Sequence, residues 1–389
     1  MFDKRITGYC DRLCAAPGET IEFKVSCEDA GTFSAEVVRI LSGDDSAGAP
    51  GLREERVPSA VSGRYPARMQ PVFPGSCVVI EEATARSSPS DGFTAAVMVF
   101  STTPRAGRQV LMSGWSDTQL TGFELRINAA GAVETAIGNG QTIDVCAGAT
   151  ALIARRWYLL AVSFEPKTGR CTLWQKPMRP QPGDLSATAP VTEVFTLPSD
   201  TYSPASNEIL CFGARWYADA DPRPHGRFHF NGKLDSPRLC RRALDESELA
   251  ALFSESIPDE LAKDVIGWWD FSEGIDTEKV HDLSVNALHG RTVQLPARGM
   301  TGYNWTGAVQ SWREDRREYG AIHFHDDDLI DAQWSTDLRF DVPADFASGV
   351  YALRLRPSGT ETSAEGDDYI TFFVRPPRGT ATAKALFLI

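Results

Sequence analysis

Nothing in the 389-residue sequence approaches the ~20 consecutive apolar residues that a membrane-spanning helix needs. The start, Met1 to Cys10, places no apolar core behind its charges, so no signal peptide is expected and the cytoplasm is the expected location. Basic residues are outnumbered, 39 Lys and Arg against 52 Asp and Glu, for a net charge of −13. That balance argues against a nucleic-acid partner, because neutralising phosphates takes clustered Lys and Arg. Histidine is scarce at six residues, and no C-x-x-C, H-E-x-x-H, G-x-S-x-G, P-loop or G-x-G-x-x-G motif occurs. No catalytic residue is therefore nominated.

Eight cysteines are present: Cys10, Cys14, Cys27, Cys77, Cys146, Cys171, Cys211 and Cys240. In a large chain without a signal peptide, scattered thiols are expected to be reduced and buried. The densest cluster of metal-donor residues is His323-Phe-His325-Asp326-Asp327-Asp328. Residues two apart on a strand share a face, which makes His323 and His325 the candidate metal ligands. The alternative is a strand running into a solvated acidic turn. The loop from Arg215 to Asp221 combines aromatics and carboxylates as sugar sites do, giving Trp216, Asp219 and Asp221 as candidate ligand contacts. Gly138-Asn139-Gly140 has a related composition, and a simple turn is the alternative for both. The carboxylate pair that a jelly-roll glycosidase would need has only one approximation, Asp270 with Glu273.

What the chain does have is strand signal almost throughout. Thr20 to Ser26, Thr336 to Val342 and Val350 to Arg356 alternate apolar and polar residues at period two. Phe93 to Phe100, Gln109 to Trp115, Gly122 to Asn128, Trp157 to Phe164, Arg170 to Trp174, Glu208 to Gly213 and Phe228 to Phe230 form a second, more continuously apolar series. Many short strands at this spacing predict antiparallel sandwiches. The one clear helix runs over Asp245–Phe253, with Asp245 as N-cap, Glu248 three residues on, and Leu249, Leu252 and Phe253 as its apolar stripe.

Three pieces of the middle segment resemble a laminin-G-like, concanavalin A-like jelly roll: the strand Arg156-Trp157 to Phe164; Phe230-Asn-Gly-Lys-Leu-Asp to Leu244 leading into the helix; and Gly267-Trp-Trp-Asp-Phe-Ser-Glu273 with His281-Asp-Leu-Ser-Val-Asn-Ala-Leu-His-Gly290. The last pair usually opens such a module but closes it here, which suggests a circular permutation. The strands before residue 73 and after Tyr319 would then pair into one immunoglobulin-like sandwich. The expected fold is all-β, with a jelly roll over 73–310 inserted between residues 1–72 and 311–378 of a split immunoglobulin-like sandwich. Residues 379–389 then read as a linker and the first strand of a further domain, the apolar run Ala385 to Ile389 looking like a strand interrupted.

That composite order is similar to the N-terminal half of the N,N-dimethylformamidase large (beta) subunit family. The residues carrying the likeness are Gly8-Tyr9, Ala16 to Thr20, Val37 to Ile40, Phe324 to Trp334, Ala347 to Ala352, and Arg375 to Gly379 running into Lys384 to Ile389. The resemblance implies an amide hydrolase that splits a formamide C–N bond into an amine and formate. It implies a mononuclear iron, held by tyrosine phenolates and a carboxylate in a C-terminal half beyond this chain, so none of the iron ligands is assigned here. It also implies partners: that catalytic domain, a small subunit and further copies of the large subunit. Within such an assembly this chain would be a non-catalytic scaffold, with Trp305, Trp312 and Trp334 as possible interface anchors. The alternative is a free-standing, lectin-like carbohydrate-binding module.

Overall fold

The computed structural model describes residues 5–28, 31–44, 46–81, 92–178, 189–197, 202, 209–218, 220, 223–254, 257–358 and 366–381. The chain divides into two compact units, a smaller one made of Met1–Val72 with Ala332–Ile389 and a larger one made of Phe73–Asp331. Both are β-sandwiches.

In the smaller unit one sheet contains Ile6–Cys10, Thr20–Cys27 and Leu338–Asp341, in that order. The facing sheet runs Cys14–Ala15, Asp368–Val374, Gly349–Pro357, Thr32–Asp44 and Gly51–Arg56, with Gly63–Pro66 also pairing to Thr32–Asp44. Strands from both ends of the chain thus share both sheets. The first strand region contributes to each sheet, and its second part lies parallel to the last strand, Cys14 beside Phe373. This is the immunoglobulin-like order, and Tyr351 adds the corner such folds use: its hydroxyl donates to Ala347 O at 2.8 Å. Thr20–Cys27 buries every second residue, so Ile21, Phe23, Val25 and Cys27 enter the core beside Phe33, Leu353 and Phe372.

The larger unit is one antiparallel sheet rolled onto itself. Its front face is built from Ile143–Ala151, Ala132–Asn139, Thr121–Ile127, Gln109–Ser116, Leu210–Phe212, Cys77–Ile80 and Gly290–Val293. Lys279–Asp282 and Val265–Asp270 turn the corner into the back face, Gly232–Cys240, Phe93–Ser101, Trp157–Glu165, Arg170–Pro177 and Val191–Thr196. Phe93, Phe123, Leu125, Tyr158, Phe164, Phe212 and Trp269 fill the space between the faces. A third layer covers the back face. Leu249 of the Glu246–Leu252 helix and its C-cap Phe253, with Met300 and Tyr303, pack on Met98, Trp157 and Trp174. The helix starts as its sequence predicts, Asp245 accepting from Ser247 N and Glu248 N while Glu248 reaches back to Asp245 N. A second short helix, Asp259–Ala262, carries no side-chain cap, and that missing cap leaves little for a sequence reading to find.

The tryptophan and D-x-S-x-N-x-x-H-G segments prove to be fasteners. Asp282, buried, accepts from Trp268 N, Ser284 N and Leu288 N at 2.8–2.9 Å. Asn286 Nδ2 donates to Ile266 O at 2.8 Å, and Trp269 Nε1 donates to Leu288 O at 2.7 Å. Each side chain satisfies backbone groups that the corner strands leave unpaired.

The return to the smaller unit falls at Asp331/Ala332, later than the 310/311 boundary read from the sequence. The reason is strand Ala321–Phe324, which pairs with Gly232–Cys240 and so belongs to the larger unit's back face. Residues 385–389 lie outside the described residues.

Candidate functional site

Charged and aromatic side chains gather most densely on the outer surface of the front face. Phe123, Leu125 and Ile127 point into the core, so the alternating positions Glu124 and Arg126 point outward. Glu124 is nonetheless fully buried. Its Oε2 accepts from Arg126 Nη1 at 2.7 Å and from Arg108, and its Oε1 lies 3.4 Å from Arg215 Nη1. Arg126 also donates to Glu134 Oε1 at 2.6 Å, and Arg215 pairs with Asp117. Aromatic rings wall the guanidinium groups. Arg108 lies 4.1 Å over Phe228, Arg215 lies 4.8 Å over Trp115 and 5.3 Å over Tyr217, and Arg227 lies 4.7 Å over Tyr217. His225 stacks on Phe73 at 3.8 Å and accepts from Arg227 Nε at 3.1 Å. Burial raises the Tyr217 hydroxyl pKa, so it stays a neutral phenol. The three carboxylates and the guanidinium groups hold one another, and the cluster reads as a rigid ionic buttress for the front face. The sequence reading missed it. Its signal was two charges at alternate positions of the otherwise apolar strand Gly122 to Asn128.

Trp216 lies between Arg215 and Tyr217 and is partly buried, packing against the cluster of Cys77, Val79, Cys211 and Ala214. Asp219 and Asp221 lie outside the described residues. Asn139 makes a turn of the plain kind, its Oδ1 accepting from Gln141 N and Thr142 N at 2.9 and 2.8 Å.

His323 lies on the strand Ala321–Phe324 and His325 just past its end, with ring centroids 4.2 Å apart. Burial, with His325 and Lys233 nearby, pushes the His323 imidazole down to about 4. His325 Nδ1 lies 3.3 Å from Asp328 Oδ1, and the other carboxylate oxygen of Asp328 accepts from Ser76 Oγ at 2.6 Å. Gly75 N donates to Asp328 O and Ser76 N to His325 O, at 2.8 and 3.0 Å. The acidic turn therefore clasps the segment where the chain enters the larger unit to the segment where it leaves.

A third cluster is fully internal. The strand Gly232–Cys240 shifts register between Asp235 and Arg238, and Ser236 takes a φ of 50° at this bulge. Asp235 is 3% exposed, and burial raises its carboxyl to about 6 although Ser236 Oγ donates to it at 2.9 Å. Lys233, lying 4.6 Å over Phe100 and donating to Thr301 O at 3.0 Å, is brought down to about 8 by the same desolvation. Arg238 stacks 4.4 Å over Trp268. Asp270 and Glu273 stand apart in role, Asp270 accepting from Ser272 N at 2.9 Å and Glu273 pairing with Arg316 at 2.6 Å.

Among the described residues no group of three or more His, Cys, Asp and Glu could hold a metal ion. Burial raises the hydroxyl pKa of Tyr65, Tyr217, Tyr303, Tyr351 and Tyr369. Of the tryptophans considered as anchors, Trp334 is packed on Tyr9 inside the smaller unit and donates to Pro71 O at 3.0 Å, and Trp305 donates to Val309 O at 3.3 Å. Trp312 flanks two clefts beside Ile275 and Asp276. Among the described residues, no helix is long and apolar enough to cross a membrane.

The fold defines a class: an all-β chain of two sandwiches, one interrupting the other. Its sequence places it more narrowly. It is 36% identical over 399 aligned residues to the N,N-dimethylformamidase beta subunit of Paracoccus aminophilus, covering 99% of this chain and 51% of that protein. The corresponding subunit from Alcaligenes sp is also 36% identical, covering 100% of this chain and 51% of the relative. The family described as N,N-dimethylformamidase beta subunit-like, C-terminal, matches residues 297–389. The resemblance read from the order of segments holds, and the chain spans about half the length of the curated relatives it matches. The Ruminococcus gnavus IT-sialidase CBM40 is 18% identical and covers 46% of this chain and 93% of its own, at a TM-score of 0.35 that carries no argument.

Proposed function

We propose that this chain is the non-catalytic β-sandwich region of an N,N-dimethylformamidase-like beta subunit, acting in the cytoplasm. The complete protein would hydrolyse a formamide C–N bond to an amine and formate with a mononuclear iron held outside this chain. The role of the two sandwiches is to carry and assemble the catalytic half, a small subunit and further copies of the large subunit. The observation that carries the reading is similarity along 99% of this chain to only about half of each relative. The test is metal analysis and an N,N-dimethylformamide hydrolysis assay on the 389-residue chain by itself. The expected result is no stoichiometric iron and no release of dimethylamine or formate. One iron per chain with turnover overturns the proposal. The scaffolding half is tested separately, by deleting the matching region from the full-length Paracoccus aminophilus subunit. Loss of assembly is expected, and an intact oligomer without it refutes the role.

A further inference from the structure

Among the described residues the rolled sheet of the larger unit has two end strands, Ile143–Ala151 and Val191–Thr196, each laddered to one neighbour. Where these ends approach, a side chain joins them: Glu193 Oε1 accepts from Ala149 N at 2.9 Å. Beneath that contact two thiols meet. Cys146 is the inward residue of the first end strand, opposite Thr135, while its neighbours Val145 and Ala147 face outward. Cys171 lies on Arg170–Pro177, opposite Phe195 of the other end strand. The two belong to opposite faces of the roll and to one core cluster, where each thiol is the other's neighbour. Both are unoxidised in this structure.

We infer that Cys146 and Cys171 form a reversible disulfide site that latches the open seam of the larger sandwich. The oxidant is a low-molecular-weight disulfide such as glutathione disulfide. The Cys146 thiolate attacks one of its sulfurs, expelling a glutathione thiolate and leaving a mixed disulfide. Cys171 then loses its proton and attacks the Cys146 sulfur, expelling the second glutathione. Two protein thiols lose two hydrogens in all, and one glutathione disulfide becomes two glutathione thiols. The order follows from access: Cys146 lies on the end strand that bears the exposed Ile143 and Val145, which local opening can lift.

A second thiol contact, Cys77 with Cys211, provides an internal comparison. Those residues lie on neighbouring strands in which Cys211 faces Val79, so the pair is diagonal. Diagonal positions stand further apart than the roughly 3.5–4.5 Å between Cβ atoms that a disulfide needs. Only the seam pair is therefore expected to close.

The test treats the intact 389-residue chain with glutathione disulfide, blocks remaining thiols with iodoacetamide and maps the peptides by mass. A second sample is oxidised while refolding from urea, which removes any barrier of access. A Cys146–Cys171 linkage is expected, two hydrogens lighter than the reduced pair. The larger unit's thermal midpoint should rise by about 5–10 °C, because the bond closes a loop of about 25 residues. Dithiothreitol should reverse both changes. Cys171→Ala should stop at a glutathione adduct on Cys146, and Cys77→Ala should leave the linkage unaffected. Should Cys171→Ala fail to fold, the mapping of the unsubstituted chain decides alone. Alkylation of both Cys146 and Cys171 after oxidative refolding, or a linkage of either to another cysteine, overturns the inference.

Discussion

The two sandwiches are built from the same element yet bury it differently. In the smaller unit Thr20–Cys27 alternates residue by residue between core and surface. In the larger unit every residue of Phe93–Ser101 except Phe100 is buried. The smaller unit has two layers, so each strand has one wet face. The larger has a third layer, made by the Glu246–Leu252 helix and the segment through Tyr303, which dries the outer side of the back face. Burial of polar groups follows the same division. Among the described residues, the buried polar and charged side chains all lie in the larger unit except Asp368. On the back face the third layer covers Lys233, Asp235 and Arg238, and the internal carboxyl of Asp235 gives the larger unit a pH dependence of its own.

The comparison breaks most visibly if the cores are not separate. Trp269→Ala removes a fully buried ring that stacks edge-on to Phe212 at 4.9 Å, and Phe372→Ala removes its counterpart from the smaller core. Each should cost about 3–5 kcal/mol. In urea unfolding each should move only the transition of the unit that carries it, and equal shifts in both would contradict two independent cores.

The next effect concerns the internal charge. The Asp235 carboxyl titrates near 6 in the folded chain against 3.8 as an isolated group. Between those values the native state binds more protons than the unfolded one, so this group's contribution makes stability fall as pH rises from 4 to 6. The full span is about 3 kcal/mol. His323, at about 4 folded against 6.5, acts with the opposite sign: the unfolded state binds the extra proton, so stability falls as pH drops through the same window. Asp235→Asn should therefore make the larger unit less acid-tolerant, and His323→Gln more so. Urea midpoints measured from pH 4 to 7 check both signs. The smallest effect is at the third layer's edge. Asp245→Ala removes both capping bonds and should cost about 1 kcal/mol, read as a lower thermal midpoint of the larger unit alone.

How much of this could be read in advance follows from the same difference in layers. Alternation such as Thr20 to Ser26 carries its own assignment, since one wet face imposes period two. The Asp245 cap was equally legible, because its partners lie within three residues. Continuous runs such as Phe93 to Phe100 were legible as strands but not as three-layer strands, for what covers them comes from Leu249 and Met300 far along the chain. The 310/311 boundary failed for a related reason: Ala321–Phe324 looks like any strand, and its partner is chosen only in space. The histidine pair was placed correctly side by side, yet its use as a clasp on Ser76 depended on a residue about 250 positions earlier.

By itself the sequence determined the all-β class, the insertion of one sandwich in another and the likeness to half of a larger subunit. These rest on local periodicity and on the order of segments, which the chain carries wherever it folds. Tertiary structure decided what the charged and thiol groups do. Glu124 reads as a surface residue until three guanidinium groups enclose it, and Cys146 and Cys171 read as unrelated until the sheet rolls and brings its ends together. Burial and pairing are properties of distances across the fold, and those distances exist only once it has formed.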